Sequence, residues 1–254
     1  MTLTEHFNHK PQNNLNVYFT AGYPHLDSTT TILKALDTAG ADLIEIGFPY
    51  SDPLADGPTI ADAGAIALKN GINIQTIFNQ VESVKGQIKA PLIAMGYYNQ
   101  ILQFGVEKFL QNCVKVGISG MIFPDLPLEY YQEHYQSLFE KYGIANIFLI
   151  TPQTSDERIL KLAAASTGFL YIVSSASITG KTGDISQEQK QYFQRIKDLK
   201  LSIPTLIGFG ISDKKSFDTA CEYSNGGIIG SALIKAINPE NVEKSVIEFI
   251  KKVR

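Results

Sequence analysis

Tryptophan is absent, and only two cysteines and four histidines occur among the 254 residues. Cys113 and Cys221 are too few for a disulfide framework or a thiolate metal site. Both fall in helical patterns, where a thiol serves as a small hydrophobe. His6, His9, His25 and His134 make no metal-ligand pattern, and no HExxH occurs. No excess of basic charge exists either: 22 basic against 25 acidic residues leave a net charge of −3, the wrong sign for a nucleic-acid surface. Charged residues make up 19% and hydrophobic ones 44%, which excludes a disordered chain. The longest apolar run, Ile144 to Ile150, is broken by Asn146, whereas a bilayer span needs about 20 such residues. Met1 to Asn14 is polar and lacks a basic stretch leading into an apolar core, so no secretory signal is read. The expectation is a cytoplasmic protein that engages neither membrane nor nucleic acid.

What the sequence does contain is alternation. Short, almost continuously apolar runs lie at Asn16–Thr20, Asp42–Ile46, Leu92–Met95, Gly120–Phe123, Asn146–Ile150, Phe169–Val173, Thr205–Ile207 and Gly227–Ile229. Such runs mark strands buried on both faces, as in a parallel sheet. Helical patterns separate them: Ser28–Ala39, Pro58–Asn70, Val106–Val116, Leu128–Tyr142, Asp156–Ala164, Gln187–Leu199, Asp213–Glu222 and Asn241–Val253. Several stop at a glycine, which supplies the left-handed position after a helix at little cost. Eight strand–helix units in a chain near the typical length of about 250 residues predict an α/β fold of the TIM (β/α)8 barrel class, one domain over residues 1–254. Extra short helices are expected at Thr2–Phe7 and Ile74–Val84. An open doubly wound sheet shows the same alternation, but no GxGxxG follows the first strand.

In such a barrel, chemistry belongs at the C-terminal strand ends and the loops that follow. Glu45 falls near the end of the second strand, where burial raises a carboxyl's pKa and suits it to proton transfer; a plain ion pair with a structural base is the alternative. Asp52 and Asp56 lie in a loop stiffened by Pro49, Pro53 and Pro58. Asp56-Gly57-Pro58 also reads as a helix start with Asp56 as N-cap. Strand seven runs into Gly208-Phe209-Gly210 and strand eight into Gly230-Ser231-Ala232. Glycines there let backbone N–H groups approach an anion, and these two loops are the usual phosphate site of the fold. Ser174 to Gly183 is small, polar and glycine-bounded, suited to a lid. Its Gly180-Lys181-Thr182 lacks the first glycine of a Walker motif, so Lys181 is read as a solvated lysine. The residues alone therefore point to a barrel enzyme with an acid–base carboxyl and a phosphate-bearing substrate.

The segment from Glu45 to Ile60, Glu-Ile-Gly-Phe-Pro-Tyr-Ser-Asp-Pro-Leu-Ala-Asp-Gly-Pro-Thr-Ile, closely resembles the signature of the tryptophan synthase alpha subunit family, including the eleven-residue step from Glu45 to Asp56. Thr20 to Pro24, Pro124 to Pro127, Thr151-Pro152, Gly208 to Ile211 and Gly230 to Ala232 extend the resemblance along the whole chain. It implies a barrel of the ribulose-phosphate-binding type and a lyase that splits indole-3-glycerol phosphate into indole and glyceraldehyde 3-phosphate by a retro-aldol reaction. By the same resemblance Glu45 is the general acid–base, Asp56 holds the indole N–H, and Tyr171 supports the site through a hydroxyl that meets either Glu45 or the glycerol. Gly180, Phe209, Gly210, Gly230 and Ser231 would hold the phosphate. Tyr18, Ile60, Met95, Ile122 and Leu149 would line the indole pocket, and Thr179 on the lid would close over Asp56. The implied partner is a beta subunit carrying pyridoxal phosphate in an alpha2beta2 complex for tryptophan biosynthesis, met by loop 49–58 and residues 124–128. The alpha chain itself would use no cofactor or metal. Two departures stand out: Ser175 and Ser177 where many relatives carry Arg and Gly, and Tyr18 where many carry Phe. The competing readings are a stand-alone lyase releasing free indole, a non-catalytic activator of beta, and a sugar-phosphate isomerase or aldolase. No lysine at a strand end suits a Schiff base, which counts against a class I aldolase.

Overall fold

A computed structural model describes residues 1–174, 185–208 and 210–254. Gly180, Thr179, Phe209, Ser175, Ser177 and Lys181 lie outside the described residues.

Among the described residues nine parallel strands form one sheet: β1 Asn14–Thr20, β2 Leu43–Gly47, β3 Leu92–Met95, β4 Ile118–Ile122, β5 Ala145–Ile147, β6 Leu149–Ile150, β7 Leu170–Val173, β8 Thr205–Gly208 and β9 Gly226–Ile229. Their spatial order is β5-β4-β3-β2-β1-β9-β8-β7-β6. The sheet therefore begins and ends on two strands that a single residue, Phe148, joins. β5 and β6 are one expected strand, interrupted because the Phe148 N–H turns aside to Ser166 Oγ at 3.3 Å. Phe148 still accepts from the Tyr171 N–H at 2.9 Å, so the ring closes as an eight-stave barrel.

Both faces of the strands are buried, which explains the unbroken apolar runs. Val17, Phe19, Ile44, Ile46, Ile172 and Ile207 belong to the layer between strands and helices. The alternate positions, Leu43, Ile93, Ile122, Ile147, Phe169, Leu206 and Ile228, fill the ring. The helix Leu3–His9, started by a Thr2–Glu5 capping box, pushes Leu3 and Phe7 into the bottom of that interior. The close fit is visible at Gly120 and Gly168, where a Cβ would come within 2.8 and 2.7 Å of Leu3 Cδ1.

The helices follow the expected order, apart from the short helix Ser231–Ala236 after β9 and two further differences. The pattern over residues 128–142 yields two helices, Leu128–His134 and Gln136–Tyr142. Tyr135 leaves helical geometry (φ −129°) at the point where its hydroxyl meets that of Tyr98 at 2.6 Å, a tertiary contact overriding local preference. A further helix, Tyr98–Phe104, follows β3 directly. No helix among the described residues is long and apolar enough to cross a membrane.

Candidate active site

β2 alternates Leu43, Glu45 and Gly47 toward the interior with Ile44 and Ile46 toward the helices. Glu45 is 0% exposed. Asn16 on β1 donates its Nδ2 to Glu45 Oε1, while among the described residues Oε2 and Asn16 Oδ1 have no hydrogen-bond partner. Loss of hydration dominates over that one bond and pushes the Glu45 pKa up to about 8. A plain ion pair is ruled out among the described residues, because no cation contributes to the carboxyl's surroundings.

Two tyrosines crowd the same space. Tyr18 is in register with Glu45, and Tyr171 stands on β7 across the ring. Both are buried. They fit because their neighbours are glycines: a Cβ at Gly47 would lie 2.1 Å from the Tyr18 hydroxyl, and one at Gly208 would lie 2.3 Å from that of Tyr171. The Tyr18 hydroxyl finds the partner that its burial demands in Thr20 Oγ1, at 3.4 Å. Burial raises the pKa of both phenols, and the negative charge of Glu45 and Asp56 adds to the effect at each. The four groups thus share one electrostatic environment.

Asp56 reaches that environment from the proline-rich loop after β2. Tyr97, at the end of β3, fixes the loop by accepting from the Ala55 N–H at 2.9 Å and donating to the Asp56 carboxylate. Its ring stacks on Tyr50 at 5.4 Å, and Tyr50 in turn accepts from Asn99 Nδ2 at 2.8 Å. Burial raises the Asp56 pKa to about 6, with Tyr97 holding it lower than burial alone would. The N-cap of the following helix, Pro58–Lys69, is Gly57 with no side-chain cap bond, so Asp56 is not the cap residue and its carboxylate is left for the site. Asp52 is exposed and bonded to Ser51.

The expected apolar wall comes together. Tyr18, Ile60 and Met95 pack as one cluster, and Met95 also joins Ile122, Leu149 and Tyr171 inside the ring. Gly230 meets this wall: a Cβ there would lie 3.3 Å from the Tyr18 ring and 3.6 Å from Ile60. It is the N-cap of the short helix Ser231–Ala236. Gly210 turns with φ +82°, a conformation that favours glycine, beside Ser174. Asn16 and the anchoring role of Tyr97 escaped the sequence reading. The available signal for Asn16 was its parity with Tyr18, an amide at an inward position of an apolar strand. Among the described residues no group of three or more His, Cys, Asp or Glu side chains is arranged to hold a metal.

Residues 5–254 match the model of the family described as tryptophan synthase alpha chain. The chain belongs to that family. It is 52% identical over 240 residues to the tryptophan synthase alpha chain of Christiangramia forsetii, covering 94% of this chain and 93% of the relative. It is 50% identical to that of Flavobacterium johnsoniae, with 94% of each covered. Among solved structures, the tryptophan synthase A-subunit of Pyrococcus furiosus superposes with a TM-score of 0.87 at 33% identity, covering 94% of this chain and 97% of that one. Tryptophan synthase from Mycobacterium tuberculosis gives a TM-score of 0.86 at 29% identity, covering 99% and 97%. As a tryptophan synthase alpha chain, the protein is an enzyme, a carbon–carbon lyase of tryptophan biosynthesis.

Proposed function

We propose that Glu45 and Asp56 together cleave indole-3-glycerol phosphate within one barrel spanning residues 1–254. The observation that carries this assignment is a fully buried carboxyl with one amide donor, beside two tyrosines that also feel a second carboxyl; burial pushes the pKa of the first up to about 8 and that of the second to about 6. At neutral pH the first is largely the acid and the second largely the anion, so two similar groups take different roles. Glu45 gives its proton to indole C3, and positive charge moves to the indole nitrogen. Ionised Asp56 accepts the indole N–H and stabilises that cation. The bond between C3 and the glycerol carbon then breaks, its electrons returning to the ring. The hydroxyl on that carbon becomes the aldehyde, and Glu45, now a carboxylate, takes the hydroxyl proton and is restored.

Tyr18, Ile60, Met95, Ile122 and Leu149 hold the indole, and Tyr171 supports the site through a hydroxyl that meets either Glu45 or the glycerol. Backbone N–H groups of the turns at Gly210, Gly230 and Ser231 bind the phosphate. The chain needs no cofactor for these steps. The partner is a beta subunit in a cytoplasmic alpha2beta2 complex, where pyridoxal phosphate carries the later chemistry. Glu45→Gln tests the reading: indole formation should fall at least a thousandfold while binding to the beta subunit persists. Comparable indole release by that variant would remove Glu45 from the chemistry.

A further inference from the structure

Glu45 is enclosed in an apolar ring, and Asn16 is the described residue that donates a hydrogen bond to it. From β3 come Ile93 and Met95, from β4 Ile122, and from β2 itself Leu43. The titratable groups that feel its charge are Tyr18 from β1 and Tyr171 from β7, both acids, and both also feel Asp56 from the loop after β2. Asn16, fully buried one inward position below Tyr18, is the hydrogen-bond donor to the carboxyl. Burying an amide in an apolar ring is unfavourable unless the amide is bonded, and here half of it is not: among the described residues Asn16 Oδ1 and Glu45 Oε2 both lack partners.

We propose that Asn16 is a positioning residue that holds the Glu45 carboxyl in both of its protonation states. The amide suits this because it carries a donor and an acceptor on one carbon. With Glu45 ionised, Nδ2–H donates to Oε1. With Glu45 protonated, a half-turn of the amide presents Oδ1 to the carboxyl O–H. The unpartnered oxygen is thus the acceptor for the acid form. A lysine in this place would donate to the anion, offer the acid no acceptor and carry a charge of its own. The inference rests on Glu45 as the proton carrier proposed above.

The direction of effect follows. The bond from Nδ2 favours the carboxylate, so its removal favours the acid. Glu45 must start protonated, so the alkaline limb of the cleavage rate is set by its ionisation. In Asn16→Leu and Asn16→Ala that limb should move up by about one pH unit. At the same time kcat should fall about tenfold, because the carboxyl is no longer aimed, while KM for indole-3-glycerol phosphate stays within about twofold. A merely structural Asn16 would lower the melting temperature and leave the limb in place. A measurement on the unaltered chain needs no variant to fold: with 15N-labelled asparagine, the Asn16 Nδ2 resonances should titrate with the midpoint of the Glu45 carboxyl infrared band. An unmoved limb in folded variants, or an Asn16 amide that does not follow Glu45, overturns the proposal. If the unaltered chain fails to cleave the substrate, the functional reading falls, and the amide titration still decides whether Asn16 responds to Glu45.

Discussion

Asp56 follows Glu45 by a step of eleven residues, yet their carboxyls end about two pH units apart in affinity for a proton. Burial drives both upward; the Tyr97 hydroxyl restrains Asp56 and the Asn16 amide restrains Glu45 less effectively against fuller burial. Cleavage that needs Asp56 ionised and Glu45 protonated should give a bell-shaped rate profile between about pH 6 and pH 8. In Tyr97→Phe the hydrogen bond that favours the Asp56 anion is lost, its pKa rises, and the acidic limb should move to higher pH. Activity at pH 6 should then fall more than activity at pH 8, which a steady-state profile reads directly. Gly208→Ala puts a methyl group where the Tyr171 hydroxyl lies. It should reduce cleavage at least tenfold while leaving most of the stability, a split that parallel rate and denaturation measurements would reveal. At this scale the sequence exposes Glu45 and Asp56 because both sit in a motif with a fixed spacing. Asn16 stays hidden because its meeting with Glu45 depends on the stagger of two strands and the curvature of the ring, neither of which is written locally.

Elements explain why those residues are held so firmly. β1, β2 and β7 are each supported from outside by helices and from inside by the ring's own packing. The loop carrying Asp56 has three prolines within it or beside it and one aromatic anchor, so little conformational freedom is left to lose on binding. From below, the helix Leu3–His9 acts as a plug. Leu3→Ala should destabilise the chain by about 2–4 kcal/mol in denaturant titration, since the space it leaves is enclosed by the strands. The rate at low temperature should be nearly unchanged, because the plug lies at the opposite end from the loops. Strand and helix positions were legible because continuous apolar runs and 3.6-residue patterns are local signals. The helix Tyr98–Phe104 was not, having seven residues and no side-chain cap at its start. The split at Tyr135 also escaped, because a contact with Tyr98, 37 residues away, decides it.

For the whole molecule, an acid kept from water opposes folding at neutral pH. Glu45 has a folded pKa near 8 against an ordinary value of 4.5. Below 4.5 both the folded and the unfolded chain hold this proton, and the group has no effect on stability. As pH rises from 4.5 to 8 the unfolded chain releases it and the folded chain does not, so stability declines by an amount on the order of a few kcal/mol; above 8 the decline stops. Glu45→Gln should abolish the chemistry and yet melt at higher temperature than the unaltered chain at pH 8. The two should converge near pH 4.5, as calorimetry across that range would show.

The join at Phe148 has a consequence for neighbours as well as for shape. A sheet whose first and last strands are successive pieces of one segment offers no unpaired rail of amides and carbonyls to a passing polypeptide. Crowded copies of this chain can therefore not zip together strand by strand unless the ring is first opened, and resistance to fibre formation should follow the rate of that opening.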